Sequence, residues 1–316
     1  MDHYLAFLLG LTGLVFSADQ FVKGSASVAK IYRIPPVLIG AVLLGFGTSL
    51  PESLVSVTAA ATGDLDIAAG NIIGSNVANL GLVMAFAVMI SKIGMKVSRE
   101  AFFQEGVMTL CATVALAIVL MNGSIRREEG ALLLIGGIAV LWRILHNSGG
   151  RETSFESVKG FRKSTEILRV TAGLSGTVVG AFFTVRGAAG LAESWGLTGG
   201  FVGFLLIAIG TSLPELVTTA ACARRGEMEL IIGNLFGSNI FNCLLVGGLM
   251  GVVGPGEISA PNITGSGLIF MLLVTVTLLG LTAKEREIPK SGGALLLAIY
   301  LVAAIFLGMN SSTPSI

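Results

Sequence analysis

The chain has 316 residues, of which 53% are hydrophobic and 12% charged, with a net charge of +1 and a mean hydropathy of +0.86. Soluble domains carry about 25% charged residues, so this balance excludes an ordinary water-soluble globule. The near-neutral charge and the lack of a basic tract exclude a nucleic-acid partner.

Apolar runs long enough to cross a bilayer as helices recur along the chain. In the first half they predict helices near 4–29, 36–61, 66–91, 101–121 and 127–146. Only Asp2 and His3, with no Lys or Arg, precede the first run, so it reads as a retained helix and not as a cleaved leader. A polar stretch at 147–165 follows, holding Arg151, Glu152, Glu156, Lys159, Arg162 and Lys163. Five more runs lie near 167–193, 199–223, 229–252, 264–282 and 292–309. The reading is an all-α membrane protein of about ten transmembrane helices. It divides into a five-helix repeat at 1–146, a linker at 147–165 and a second five-helix repeat at 166–316. Cys111, Cys222 and Cys243 all fall in apolar runs and read as small packing residues, not as a disulfide or metal cluster.

Basic residues orient the chain. With the N-terminus outside, the inner loops hold Lys30, Arg33, Lys92, Lys96, Arg99, Arg224, Arg225, Lys284, Arg286 and Lys290, besides those of the linker. The outer loops hold only Arg126 and Arg127. Basic residues concentrate on the cytoplasmic side, so both termini are expected outside a cell membrane and the linker in the cytoplasm.

The halves match at a constant offset. Adding 163 takes Gly40 to Gly203, Glu52 to Glu215, Gly63 to Gly226, Gly70 to Gly233 and Asn79 to Asn242. An odd number of spans per half inverts the second half, so broken helices and a mid-membrane site at the repeat interface are expected.

Two motifs repeat. GTSLPE occupies Gly47–Glu52 and returns at Gly210–Glu215. Proline lacks an amide hydrogen and clashes with the carbonyl four residues back, so Pro51 and Pro214 should free the carbonyls of Gly47 and Gly210. Thr48 and Ser49 share a helix face with Glu52, as Thr211 and Ser212 do with Glu215. Carboxylate, hydroxyl and carbonyl are hard oxygen ligands suited to calcium and sodium. A lone Thr-Ser-x-Pro is usually only a kink, but a carboxylate in a span is costly and points to function. The second motif is GNIIGSNVAN at Gly70–Asn79, repeated as GNLFGSNIFN at Gly233–Asn242. Asn71, Ser75 and Asn79 form one polar stripe, and Asn234, Ser238 and Asn242 another. Gly70 with Gly74, and Gly233 with Gly237, are small pairs that let helices approach. Helix glue would explain part of this polarity; its amount favours ion coordination.

These paired motifs resemble the α-repeats of the cation/calcium exchanger superfamily, closest to its sodium/calcium exchanger branch and microbial members. The resemblance covers nearly the whole chain. It implies Glu52 and Glu215 as central ligands, with further oxygens from Thr48, Ser49, Thr211, Ser212, Ser75 and Ser238. It also implies backbone carbonyls near Gly45 and Ala208, and Asn79 and Asn242 completing the ring; Asn71 and Asn234 are secondary candidates. The transported ions would be calcium and sodium, with no cofactor and no obligate protein partner beyond the lipid bilayer. Asparagine at 242, where potassium-dependent relatives carry an acid, weakens potassium coupling. Gly74 and Gly237 stand where proton/calcium relatives often carry Glu. The large cytoplasmic calcium-sensing insert of animal exchangers is absent.

Sodium/calcium antiport is therefore the expected function. The alternatives are a proton/calcium or other divalent cation antiporter and, less favoured, a cation channel, since pores usually build their rings from several equivalent subunits. The chain is not expected to be an enzyme. His3 and His146 are its only histidines and lie outside or at the ends of spans, which excludes the usual intramembrane protease centres.

Overall fold

The structure is a computed structural model that describes residues 3–91, 95–146, 162–194 and 210–310. Its helices are α1 (His3–Tyr32), α2 (Pro36–Thr48), α3 (Leu50–Ala61), α4 (Leu65–Ile90), α5 (Phe102–Leu120) and α6 (Arg127–His146). The second half holds α7 (Lys163–Ser194), α8 (Leu213–Arg225), α9 (Met228–Val253), α10 (Ile263–Ala283) and α11 (Lys290–Asn310). Among the described residues eight helices are long and apolar enough to span a membrane, and α2 with α3, bent by 46°, make a ninth. The expected span at 199–223 begins outside the described residues, and α8 is its far end.

Local chemistry sets the breaks. Pro51 and Pro214 fall in the first turns of α3 and α8, where a missing amide hydrogen costs nothing. Each proline therefore starts a new helix instead of kinking a continuous one. Ser49 and Ser212 occupy the junctions with matching backbone angles, φ −83° and −87°. Gly63 and Gly226, equivalent by the offset, end α3 and α8 at φ +85° and +74°, a left-handed conformation that glycine adopts without steric cost. Asp64 caps α4 by accepting the Ile67 amide at 3.0 Å. Wider π-helical turns interrupt the helices at Gly40–Gly45, Asn79–Val83, Phe102–Gly106, Phe241–Val246 and Ile263–Gly267. Such turns gather at functional sites.

Four two-residue strands link helices, a departure from a purely α reading. They are β1 (Met95–Lys96), β2 (Ser124–Ile125), β3 (Gly256–Glu257) and β4 (Glu287–Ile288). β1 pairs antiparallel with β4, and β2 with β3. This pairing proves the inversion. One span, α5, separates β1 from β2, so they lie on opposite faces, as α10 separates β3 from β4. β4 lies beside β1, yet its repeat equivalent is β2, on the other face.

Helix packing repeats the theme. α1 and α7, the first helix of each repeat, run antiparallel in close contact, with Phe7, Leu14 and Phe21 facing Gly187, Gly180 and Gly173. A β-carbon at Gly180 or Gly173 would lie 2.6 Å from the backbone nitrogen of Leu14 or Phe21. α9 packs on α2 in the same way: a β-carbon at Gly237 would lie 2.5 Å from Ala41 Cα. Of the two predicted small pairs, Gly233 with Gly237 makes this approach. Gly74 meets nothing within 4 Å, and residues 200–204, the counterparts of the α2 surface, lie outside the described residues. α4 and α9 form the centre, with 78% and 72% of their most apolar windows buried, against 22–44% for the other long spans. Cys222 and Cys243 are buried as expected, whereas Cys111 is exposed on α5; its helix turns that face away from the protein core.

Candidate functional site

Both copies of GTSLPE converge on the central helices. Glu52, from the first turn of α3, and Glu215, from the first turn of α8, have no solvent exposure. Ser49, at the α2–α3 break, donates its hydroxyl to Glu215 Oε1 at 2.9 Å, so a hydroxyl of one repeat holds the carboxylate of the other. The matching pair is not closed: Ser212 Oγ, Glu52 Oε1 and Glu52 Oε2 are buried with no hydrogen-bond partner among the described residues. Glu215 Oε2 has none either. Stripping a carboxylate of water costs several kcal/mol, roughly, even after the protein relaxes. Two such groups buried with three of four oxygens unpaired among the described residues carry a large uncompensated desolvation cost.

The hydroxyls around them are oriented by backbone. Thr48 and Ser238 approach Glu215, but their protons go to the carbonyls of Leu44 at 2.8 Å and Gly45 at 3.0 Å. Their oxygens therefore retain lone pairs for a cation. The Gly45 carbonyl also accepts the Ser49 amide at 3.2 Å, so in this state it has two protein donors. Ser75 Oγ, equivalent to Ser238, is buried without a partner among the described residues. Ala208, whose carbonyl was expected to match that of Gly45, lies outside the described residues.

The asparagines divide into two kinds. Asn79 bridges the central helices, its Nδ2 donating to Asn239 Oδ1 at 3.1 Å, and Asn239 Nδ2 donates to the Asn76 carbonyl at 3.1 Å. Asn79 Oδ1 and both polar side-chain atoms of Asn242 are buried with no hydrogen-bond partner among the described residues, so the Asn242 amide bonds no described helix to another. Asn71 donates to the Glu52 carbonyl at 3.1 Å and to Ser56 Oγ at 2.9 Å, and Asn234 to Thr219 Oγ1 at 3.3 Å. Their carbonyl oxygens stand 3.4 Å from Thr211 Oγ1 and Thr48 Oγ1, across the repeat interface. Hydrogen bonds and short contacts thus gather Thr48, Ser49, Glu52, Asn71, Thr211, Glu215, Asn234, Ser238 and the Gly45 carbonyl where the repeats meet, while Ser75, Ser212, Asn79 and Asn242 are buried on the same helices or at their junctions. Ser56 and Thr219 meet Asn71 and Asn234 although they lie outside both motifs, and Asn76 and Asn239, inside the second motif but off its polar stripe, join Asn79. Their signal was the offset: polar residues recur at 56 and 219, and at 76 and 239.

An inverted-repeat helical membrane protein with hard oxygens gathered where its repeats meet is the build of a secondary ion transporter. A family model described as sodium/calcium exchanger protein matches residues 3–144 and 166–309, and the chain belongs to that sodium/calcium exchanger family. The sodium/calcium exchanger MaX1 of Methanosarcina acetivorans is 27% identical over 348 residues, covering 96% of this chain and 98% of that protein. The inner membrane protein YrbG of Escherichia coli is 31% identical over 308 residues, covering 93% of each. A solved structure of the sodium-calcium exchanger NCX_Mj, soaked with 2.5 mM Na+ and 0.1 mM Ca2+, matches with a TM-score of 0.84 at 29% identity, over 96% of this chain and 98% of that one. The chain is thus a multi-pass membrane protein of a cation/calcium antiport family, a transporter and not an enzyme.

Proposed function

We propose that the protein exchanges sodium for calcium by alternating access, with both ions bound between Glu52 and Glu215. The surrounding oxygens come from Thr48, Ser49, Ser75, Asn79, Thr211, Ser212, Ser238 and Asn242, with backbone carbonyls at Gly45 and Ala208 and secondary contributions from Asn71 and Asn234. The observation that carries this reading is the burial of both carboxylates at the repeat interface with three of their oxygens unpartnered among the described residues. Charge makes the site an exchanger. The empty pair bears about two negative charges, which a low-dielectric path strongly penalises. One calcium, or two or more sodium ions, neutralises it, and only neutralised states change orientation easily. The repeats at 1–146 and 166–316 would each supply half of the site, joined by a cytoplasmic linker at 147–165, with both termini outside.

Calcium-45 uptake into proteoliposomes tests the coupling. An outward sodium gradient is expected to drive uptake and a pH gradient alone is not. Uptake driven by the pH gradient and indifferent to sodium would replace this reading with proton/calcium antiport.

A further inference from the structure

The hydroxyls at 56 and 219 have no direct claim on the ions, yet each meets the side-chain amide of an asparagine that borders the site. Both are fully buried, as is Asn234, and Asn71 is 8% exposed. An amide presents a carbonyl oxygen to a cation in one orientation and an NH2 group in the other. Only the first attracts a cation. Something must therefore decide which way each asparagine points.

In the first repeat the decision is over-determined. Asn71 Nδ2 faces the Glu52 backbone carbonyl at 3.1 Å and Ser56 Oγ at 2.9 Å. A carbonyl can only accept, so the atom facing it must be the nitrogen. Asn71 Oδ1 is then turned toward Thr211 of the other repeat, 3.4 Å away. In the second repeat no such carbonyl intervenes. Among the described residues Asn234 Nδ2 donates only to Thr219 Oγ1, at 3.3 Å, and its Oδ1 lies 3.4 Å from the Thr48 hydroxyl, as an acceptor. The Thr48 proton is committed to the Leu44 carbonyl at 2.8 Å. The Asn234 contact is therefore the longer of two acceptors competing for one hydroxyl proton, and it anchors Asn234 Oδ1 only weakly. Without Thr219, the Asn234 amide could turn and donate its NH2 to Thr48 Oγ1 instead.

We propose that Thr219 is a positioning residue for ion binding: its hydroxyl holds the Asn234 amide with the carbonyl oxygen toward Thr48, while Ser56, its repeat equivalent, is dispensable because the Glu52 carbonyl already fixes Asn71. The proposal rests on the reading that Thr48 and Glu215 belong to the ion site.

Equilibrium calcium-45 binding and initial exchange rates, measured on purified full-length protein in four variants, test it. Thr219→Val keeps the side-chain shape and removes the acceptor. It is expected to raise the calcium dissociation constant about tenfold, the scale of one lost hydrogen-bond orientation, with the maximal exchange rate at saturating calcium retained. Thr219→Ser is expected to restore native binding, and Ser56→Ala to leave it within about twofold. Glu215→Gln tests the underlying site. If it binds calcium normally, the site reading itself fails. If Glu215→Gln loses binding but Thr219→Val binds like the native protein, the positioning role alone is refuted. A loss in Thr219→Val that serine does not restore, or an equal loss in Ser56→Ala, would also overturn it by assigning both hydroxyls to general packing. Circular dichroism and gel filtration identify any variant that fails to fold, and Thr219→Ala then replaces Thr219→Val.

Discussion

Ser49 and Ser212 occupy equivalent junctions yet behave differently. Ser49 donates to Glu215 across the repeat interface at 2.9 Å, whereas Ser212 and Glu52 make no such bond. A hydrogen bond to a charged group contributes about 1.5–3 kcal/mol, so this state closes one half of the site more firmly than the other. Asn242 is the most informative single position. It is fully buried and its amide touches no partner among the described residues, which argues against a packing role. If Asn242 lines the proposed ion site, its neutral amide leaves that site with the two carboxylates of Glu52 and Glu215. Exchange by the native protein is expected to need no potassium. Asn242→Asp adds a third titratable oxygen pair beside two existing carboxylates, so its calcium flux is expected to depend more steeply on pH. Sodium-driven flux measured with and without potassium, across pH, checks both expectations. A potassium requirement in the native protein, or superimposable pH profiles, would remove Asn242 from the ion site.

Among elements, the central pair α4 and α9 carries the polar stripes, and the contact of α1 with α7 depends on missing side chains. Overpacking a tight interface costs about 1–3 kcal/mol or more, and at Gly180 the obstacle is the backbone of Leu14 at 2.6 Å. Gly180→Val is expected to lower the melting temperature of the detergent-solubilised protein clearly. Gly13→Val, on the same helix pair but with nothing within 4 Å of its β-carbon, is expected to leave it unchanged. Equal shifts would mean that the α1–α7 contact adds little to stability. Much of this level was legible in the sequence, because apolar runs and the prolines mark helix limits directly. The four strands were not, since two-residue ribbons carry no alternation to read. The π-helical turns also escaped, because only hydrogen-bond geometry distinguishes them from α-helix. Pro51 was legible as a break, but its consequence differed: it opens α3 in the first turn, where no ladder bond is lost.

For the whole molecule, the 163-residue offset was the decisive sequence signal, and the cross-paired ribbons supply its geometric counterpart. Glu52, Glu215 and their flanking hydroxyls could be picked out because motif and offset coincide there. Ser56 and Thr219 obey the same offset but lie outside both motifs, and the asparagines they meet are fifteen residues away in the chain. The loop charges are the basis on which we propose the orientation across the membrane. A cysteine replacing exposed Asn122, in a background without native cysteines, is expected to react with an impermeant reagent from outside intact cells, and one replacing Ser157 in the linker is not. The reverse pattern would turn the molecule over. The claim that both repeats feed one site is tested most directly by sodium-driven calcium-45 flux in Glu52→Gln and in Glu215→Gln, each verified as folded and inserted. Abolition of flux in both is the expected result, because each repeat supplies one of two carboxylates that a single calcium must neutralise. Near-native flux in either variant would contradict it.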